Sequence, residues 1–368
     1  MSIIIKSILF FSFFVFFSLT DLVGQSGPYQ EVTAKEGDGI FMLLRENGLN
    51  PATHLQSFLE LNQQNLGENN SLYKGRSYLL PNKVDSTANV QLAANTKETS
   101  PSTIDISVKE DAAKSALEDK SMVLDVPFFG KKYERLEIID QSLKGAVYYL
   151  LSGHGGPDPG AMSKYGSYLL AEDEYAYDVS IRLARRLMEH GATVYMIIQD
   201  EDDGIRDESI LLNDTDERCY PDEIIPLNQK ERLRQRTNAV NKLYRKHKGS
   251  YQRMMAIHVD SRSKSENIDV FFYHHENSPS GKKLATNIHE KIKSKYDRHQ
   301  PNRGYTGSVS TRSSLYVIKY SHPPAIFVEL GNIKNEKDQR RFVIADNRQA
   351  LANWLFEGML SDYAKEKK

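Results

Sequence analysis

The amino-acid sequence predicts an α/β protein in which a mostly parallel twisted sheet with helices on both faces follows a small βααβ unit. Two observations predict the sheet: short apolar runs of strand length recur through the second half of the chain, and long helical patterns separate them. Strands that alternate with helices pair in parallel, because each helix crosses over one face of the sheet.

The first residues of the chain predict an export signal. Lys6 precedes an apolar run over residues 8–19, which is shorter than the ~20 apolar residues that a membrane-spanning helix needs. We therefore interpret residues 1–25 as a signal peptide, with an uncleaved anchor or a core helix as the alternative. No later segment approaches the length of a membrane span, so we expect no stable span once the signal is removed.

Residues 29–82 predict a compact unit of strand, helix, helix and strand. Its strands are expected at residues 30–34 and 77–80, and the second strand ends before Pro81 because proline cannot extend a sheet ladder. Between the strands, apolar residues recur at helical spacing on two segments. They are Ile40, Leu43 and Leu44 in the first helix, and Phe58, Leu59 and Leu61 in the second.

This unit resembles the LysM module. The residues that carry the resemblance are Gly37 and Asp38 in a turn before the first helix, Asn62 after the second helix, and Gly75, Leu79 and Pro81 at the end. The turn continues with Gly39 where the family usually has Thr. The resemblance implies binding of glycans that contain N-acetylglucosamine, such as peptidoglycan or chitin. A small packing or spacer domain without a ligand is the alternative.

Residues 83–124 are predicted to be a flexible linker. Ser, Thr, Ala, Asn, Lys and Glu are abundant in this segment, and it contains no aromatic side chain. Such a composition cannot bury enough apolar surface to offset the entropy that is lost on ordering. The second domain is then expected to occupy residues 125–368.

The charge balance and the single cysteine narrow the classes of partner and of metal site. Lys and Arg number 48 against 49 Asp and Glu, a net charge of -1. No overall field attracts nucleic acid, so we expect no nucleic-acid partner. Cys219 is the only cysteine in the sequence, which excludes an internal disulfide and a cysteine-based zinc site. Histidine and carboxylate side chains must therefore bind any metal ion.

Three apolar runs in the second domain each lead into a side chain that can bind a metal or transfer a proton. The runs are residues 147–151 before His154, residues 254–257 before His258, and residues 325–328 before Glu329. Because the carboxyl ends of parallel strands open into one crevice, we expect the three side chains to converge.

Helical patterns lie between these strands. They cover residues 178–190, 229–246 and 280–296, and a further strand is predicted at residues 193–197. The acidic segment 200–223 interrupts this alternation. We expect it to form a loop or a short helix at the rim of the crevice.

Two histidines that converge with carboxylates, without cysteine, are typical of a catalytic zinc site. Such sites commonly use two His and one Glu, and they leave a fourth position to water. The third ligand is expected among the carboxylates that follow His154. Glu172 lies where the next helix starts, and Asp173 and Glu174 are alternatives on the residues alone.

The segment 147–363 resembles the zinc-dependent N-acetylmuramoyl-L-alanine amidases of the amidase 3 type. Four motifs occur in the family's order. They are GHGGPDPGA with His154, an acidic residue that opens the next helix, AIHVDS with His258, and FVELGNIKN with Glu329 and Asn335. In between, Arg236 and Asn241 match the family's Arg and Ala-Asn pair. The chain departs from the family pattern at Ala176, where Asn is frequent, and at Leu330, where Thr is common.

The resemblance implies a function and a role for each matched residue. His154, Glu172 and His258 would bind Zn²⁺, and Glu329 would be the catalytic acid/base. The bond that is cleaved would join N-acetylmuramic acid to L-alanine in peptidoglycan. Further contacts with the substrate are implied for Arg236, Asn241 and Asn335.

The same resemblance implies the partners and the location of the protein. Glycan strands and stem peptides of peptidoglycan are the expected partners, and a protein activator is a further candidate. We expect an exported protein that acts in the periplasm or in association with the cell wall.

Two other functions stay open at this point. A catalytically inactive wall protein that binds peptidoglycan would lack a ligand or the catalytic glutamate, whereas all four positions are filled in this sequence. A zinc peptidase that acts on other cell-wall amides would share the metal site but would cleave within peptides.

Overall fold

The computed structural model describes residues 29–82 and 122–367, except for residues 36–39, 41–42, 45–46, 50, 68–71 and 301. The chain divides into two compact units, with the boundary between Val90 and Gln91, and each unit is described by itself. The predicted signal peptide and almost all of the predicted linker lie outside the described residues.

The first unit is built on a two-stranded antiparallel sheet. Strand β1 (Gln30–Thr33) pairs with β2 (Ser77–Leu80), and helix α1 (Pro51–Leu61) packs beside β2. The rings of Phe58 and Tyr78 are buried with their centroids 6.1 Å apart. Apolar side chains from helix and strand thus form the centre of this unit, as the sequence pattern predicts.

Asn62 connects the end of α1 to β2. Its buried side-chain amide donates to the carbonyl oxygens of Phe58 and Leu79, at 2.8 Å in both cases. Its side-chain oxygen accepts from the N–H of Leu79, also at 2.8 Å. The predicted first helix falls mostly outside the described residues, although the three apolar positions predicted for it are buried.

The second unit alternates strands and helices for most of its length. Its strands are β3 (Val123–Asp125), β4 (Arg135–Glu137), β5 (Ala146–Ser152), β6 (Met162–Tyr165), β7 (Tyr168–Ala171), β8 (Thr193–Met196), β9 (Ile198–Gln199), β10 (Arg218–Cys219), β11 (Glu223–Ile224), β12 (Tyr251–Asp260), β13 (Phe271–His274), β14 (Ser308–Thr311) and β15 (Ala325–Asn332). Its helices are α2 (Glu172–Glu189), α3 (Gln229–Lys246), α4 (Pro279–His299), α5 (Tyr316–Tyr320), α6 (Glu336–Val343) and α7 (Ala345–Glu366). Within the described residues, no helix combines the length and the apolar character that crossing a membrane requires.

A six-stranded sheet forms the centre of the second unit, in the order β14-β13-β15-β12-β5-β8. Strand β12 pairs in parallel with β5 and β15, and β5 pairs in parallel with β8. Only the pairing of β13 with β15 is antiparallel in this sheet. The predicted α/β fold with a mostly parallel sheet and helices on both faces is confirmed.

Alternating side chains of the central strands enter two separate apolar cores. Tyr148 and Leu150 of β5 pack with residues of α2, α4 and α7 on one face. Tyr149 and Leu151 pack with residues of α3 and α5 on the other face. Because successive side chains of a strand point to opposite faces, a strand without polar interruption is buried on both sides.

Most of the acidic segment 200–223 is a loop, as the sequence predicts, because residues 200–217 form neither a helix nor a strand. Strands β9, β10 and β11 build a three-stranded antiparallel sheet around it. Cys219 of β10 and Ile225 after β11 are buried in the core beneath α3. Burial of these two side chains holds the end of the segment against the domain, and such long-range packing has no local sequence pattern.

Candidate metal centre

Parallel pairing brings the ends of three strands to one edge of the central sheet. In the register of β12, Ile257 lies beside Ser152 of β5, and the next residue, His258, lies beside Glu329 of β15. His154 follows the end of β5 by two residues. The structure thus brings His154, His258 and Glu329 to the same crevice.

A tight glycine-containing turn positions the His154 side chain. His154 has a φ of 60°, and it is the only non-glycine residue with a positive φ among those described. A left-handed conformation costs such a residue about 1–2 kcal/mol. A backbone hydrogen bond of 2.8 Å from Gly155 N–H to the Asp158 carbonyl closes the turn. The strained backbone is compensated by the contacts that the imidazole makes in the crevice.

Two glycines leave room for the imidazole rings. A Cβ atom at Gly153 would lie 2.4 Å from Nδ1 of His258. A Cβ atom at Gly160 would lie 2.6 Å from Cδ2 of His154 and 2.7 Å from Oε2 of Glu172. No side chain larger than hydrogen is compatible with these distances, so the glycines of this loop serve the site directly.

Glu172 is the first residue of α2, directly after β7. Its Oε2 atom accepts from the N–H of Ala161 at 2.9 Å, and its Oε1 atom accepts from the N–H of Val259 at 3.1 Å. Each oxygen also faces one imidazole: Oε2 lies 3.3 Å from Nε2 of His154, and Oε1 lies 2.9 Å from Nδ1 of His258. Backbone donors from two segments therefore hold the carboxylate between the two rings.

The two neighbouring carboxylates make other contacts. The Asp173 carboxylate accepts from the side-chain amide of Asn213 at 3.2 Å. Glu174 forms an ion pair with Arg206 at 2.9 Å. Of the three consecutive acidic residues, only Glu172 joins the two histidines in one group of potential ligand atoms.

The group formed by His154, Glu172 and His258 has the donors and the spacing of a divalent-cation site. One potential ligand atom from each residue lies within 4.8 Å of the other two. An ion bound at the usual ~2.0–2.2 Å from nitrogen and oxygen requires ligand atoms this close together. Two imidazole nitrogens and one carboxylate oxygen are a donor set that zinc prefers in catalytic sites.

The protonation equilibria of these groups favour a permanent negative charge on Glu172. Burial opposes ionisation, but the adjacent imidazoles of His154 and His258 outweigh it and hold the pKa of Glu172 far below its usual value. Burial lowers the pKa of His258. Burial would also lower the pKa of His154, but the carboxylates of Glu172 and Asp158 raise it well above its usual value.

Glu329 contributes a fourth buried group to the crevice. Its Oε2 atom is buried and has no hydrogen-bond partner among the described residues. Burial, followed by repulsion from Glu172 and Asp260, raises the pKa of Glu329 well above its usual value. A buried, unpartnered carboxyl oxygen beside a cation site is placed to exchange protons with a bound molecule.

Asp158 and Arg232 also belong to the site, although the sequence predicts no role for either residue. Asp158 Oδ2 lies 2.9 Å from Nδ1 of His154, the nitrogen that faces away from Glu172, and Arg232 Nη2 donates to the same oxygen at 2.7 Å. A carboxylate on the second ring nitrogen fixes the tautomer and the orientation of a histidine ligand. The Asp in the GHGGPDPGA motif is the signal that pointed to this residue.

The structure separates the three residues for which substrate contacts were predicted. Arg236 is buried, lines the crevice, and donates from Nη2 to the carbonyl oxygen of His154. Asn241 and Asn335 are not among the lining residues. Asn241 donates to the Tyr320 carbonyl at 2.9 Å, and Asn335 donates to the Lys264 carbonyl at 2.7 Å. Both asparagine amides thus stabilise loops through backbone hydrogen bonds.

A cavity of about 310 Å³ opens over these groups. His154, Glu172, His258 and Glu329 share its wall with Arg312 and with apolar side chains. A divalent cation held by His154, Glu172 and His258 would polarise a carbonyl group in this cavity, and Glu329 is placed to accept a proton from water.

Comparisons with known proteins find one matching family model and several similar solved structures. The model of the family described as N-acetylmuramoyl-L-alanine amidase matches residues 149–361. Similar solved structures include the CwlD amidase from Clostridioides difficile in complex with the GerS lipoprotein, with 19% identity, 60% of this chain and 98% of that chain covered, and a TM-score of 0.46. The amidase AmiC2 of Nostoc punctiforme shares 19% identity, with 61% and 99% covered and a TM-score of 0.42. A comparison with curated protein sequences finds no match.

Proposed function

The chain belongs to the N-acetylmuramoyl-L-alanine amidase family, and we propose that it is a zinc-dependent hydrolase of the amide bond between N-acetylmuramic acid and L-alanine in peptidoglycan. One observation supports the metal: a carboxylate kept ionised lies between two imidazole nitrogens, at 3.3 Å and 2.9 Å. A divalent cation would neutralise such a carboxylate, and the carboxylate oxygen and both imidazole nitrogens would coordinate it together.

The proposed roles follow from the positions of the side chains. His154, Glu172 and His258 would hold Zn²⁺, which when bound lowers the pKa of water toward ~7 and polarises an amide carbonyl. Asp158 holds the His154 ring through Nδ1, so that Nε2 stays directed at Glu172. These contacts preorganise the donors before a substrate arrives.

Glu329 would carry the proton in both halves of the reaction. Its unpartnered Oε2 atom accepts the proton that the attacking water loses as the new carbon–oxygen bond forms. The same atom then delivers that proton to the alanine nitrogen as the carbon–nitrogen bond breaks. Its raised pKa suits both steps, because the ionised carboxylate is then a stronger base toward water, and the carboxyl group that forms keeps the proton until the amine nitrogen takes it.

The remaining parts of the chain would bring this catalytic domain to its substrate. We propose that residues 1–25 direct export to the periplasm or cell wall, that residues 29–82 bind glycan as a LysM-like module, and that residues 83–124 form the linker to a catalytic domain at 125–368. The hydrogen bonds between Asn62 and the Leu79 backbone support a folded module at 29–82. A protein activator is a further candidate partner.

Digestion of purified peptidoglycan, with and without a chelator, tests this function. The zinc-loaded protein is expected to release stem peptides that begin with L-alanine and to leave the glycan strands whole, as seen by mass spectrometry. Glu329→Gln should slow release by at least about 100-fold at unchanged zinc content. Glu290→Gln, an exposed glutamate on α4, is the matched control.

Other outcomes of this digestion would indicate a different function for the protein. Cleavage within the stem peptides indicates a zinc peptidase. No cleavage by a protein with a full complement of zinc indicates an inactive wall-binding protein, and either result contradicts the proposed amidase.

A further inference from the structure

The cavity over the metal centre contains one cation that the protein does not neutralise. Among the lining arginines, Arg232 is paired with Asp158, and Arg236 is buried against the His154 carbonyl. Arg312 lines the same cavity, and its side chain forms no ion pair with any residue that the structure describes. An exposed guanidinium at the mouth of a cavity is available to an anionic group of a bound molecule.

The position of Arg312 is set by the fold. It follows β14, and its N–H donates to the carbonyl of His274 at 3.0 Å, which continues the pairing of β14 with β13. Its guanidinium carbon lies 5.2 Å from the centre of the Tyr273 ring. A cation–π contact of this kind holds a guanidinium in place and leaves its N–H groups available to a carboxylate.

Arg312 and Glu329 line the same cavity from nearby strands of the sheet. Strand β14 pairs with β13, and β13 pairs with β15, which carries Glu329. Acidic groups elsewhere in the wall already have partners: Asp260, for example, accepts from Arg262 at 2.6 Å. Arg312 is therefore available to an anionic part of a substrate that binds in this cavity.

The chemistry of the substrate supplies an anion close to the bond that is cleaved. In a stem peptide, L-alanine is followed by a γ-linked D-glutamate, whose α-carboxyl group is either a free carboxylate or a carboxamide. This group lies at most about 6 Å from the alanine nitrogen in an extended chain. A guanidinium that lines the catalytic cavity is a suitable partner for it.

Building on the proposed amidase function, we propose that Arg312 determines specificity by binding the free α-carboxylate of the residue after the alanine. The enzyme then prefers stem peptides that carry a carboxylate over amidated ones. Arg312 binds the carboxylate through two parallel N–H groups, whereas a carboxamide offers one acceptor and no charge.

The test compares two substrates that differ in this one group. N-acetylmuramoyl-L-alanyl-D-glutamate and N-acetylmuramoyl-L-alanyl-D-isoglutamine are offered on glycan oligosaccharides to the zinc-loaded full chain, and kcat/KM is measured for each. Wild-type protein is expected to prefer the carboxylate by about tenfold, a value reduced for the exposure of the arginine. Arg312→Gln should lower kcat/KM for the carboxylate substrate by about tenfold and leave the carboxamide substrate within about twofold.

Two further variants serve as controls. Arg312→Lys keeps the charge but loses the paired N–H geometry, so it should retain part of the preference. Arg245→Gln removes an exposed arginine of α3 outside the cavity and should change neither rate. Melting temperatures show whether any variant fails to fold.

The failures of the two proposals are distinguishable. If Arg312→Gln loses the same activity on both substrates, the inference is overturned, because Arg312 would then act on Glu329. A wild-type enzyme that shows no preference between the two substrates also overturns it. Binding of free L-alanyl-D-glutamate and L-alanyl-D-isoglutamine is measured in parallel by calorimetry. A zinc-loaded protein that cleaves neither glycopeptide overturns the amidase, and equal affinity for the two dipeptides then also overturns the role of Arg312.

Discussion

Replacement of Gly153 by alanine is expected to weaken metal binding without a change in any ligand. The added Cβ atom would lie 2.4 Å from Nδ1 and 2.5 Å from Cε1 of His258, whereas ordinary contacts begin at 3.4 Å. The ring must therefore move by about 1 Å (3.4 minus 2.4), or the loop must move away from it. A misplacement of ~1 Å in a catalytic group costs on the order of 100-fold. We expect a loss of zinc affinity of about that size.

Competition with a chelator of known affinity measures this loss, and unfolding in the presence of chelator measures any separate cost to stability. Steric overpacking alone costs about 1–3 kcal/mol in the apo protein. Gly304→Ala is the matched control, because a Cβ atom at Gly304 meets no atom within 4 Å. If Gly153→Ala bound zinc as tightly as the wild type, His258 could not be a ligand in the observed geometry, and the reasoning would be refuted.

Three further changes probe other parts of the molecule. Asp158→Ala removes the carboxylate that orients His154, and zinc affinity in the same competition assay should fall by about 10–100-fold; an unchanged affinity would show that the ring is oriented without it. Asn62→Ala removes two part-buried hydrogen bonds to the Leu79 backbone and should destabilise the first unit by about 1–3 kcal/mol, measured by hydrogen exchange of the β2 amides; wild-type protection would contradict this. Burial and repulsion from neighbouring carboxylates raise the pKa of Asp200 to about 9, so the folded chain holds a proton that the unfolded chain loses near pH ~4. The free energy of unfolding should therefore fall as the pH rises toward 9, and Asp200→Asn should reduce this fall and raise stability at pH 8 by about 1 kcal/mol or more in denaturant titrations; an equally steep fall would count against it.

Local sequence patterns were sufficient to predict strands that are continuously apolar and helices with a clear N-terminal cap. The predicted helix at 229–246 matches α3, whose N-terminus is capped by Asn228 through hydrogen bonds to Lys230 N–H and Glu231 N–H at 2.9 Å and 3.2 Å. The apolar pattern of α2 covers only residues 178–190, whereas the helix begins at Glu172, where the sequence places the start of the acidic turn. The first turn of α2 buries acidic side chains, and buried polar residues interrupt the apolar periodicity on which the prediction depends.

Contacts between distant segments could not be predicted in the same way. The choice of Glu172 over its two acidic neighbours depends on the direction that each side chain takes at the start of α2, and the sequence alone left that choice open. The link from Asp158 to Arg232 spans 74 residues, and its only local trace is the aspartate of the glycine motif. Whether Arg312 has an ion-pair partner also depends on which side chains the neighbouring segments place beside it.

By itself the sequence determined the central strands β5, β8, β12 and β15, most of the long helices between them and the residues that stand where parallel strands end, because periodicity and strand length are local properties. The tertiary structure alone decided which carboxylate lies between the two histidines, which glycines make room for the rings, and which asparagines turn away to backbone carbonyls. Those outcomes depend on distances of a few ångströms between segments far apart in the chain, and such distances arise only when the two cores have packed against the sheet.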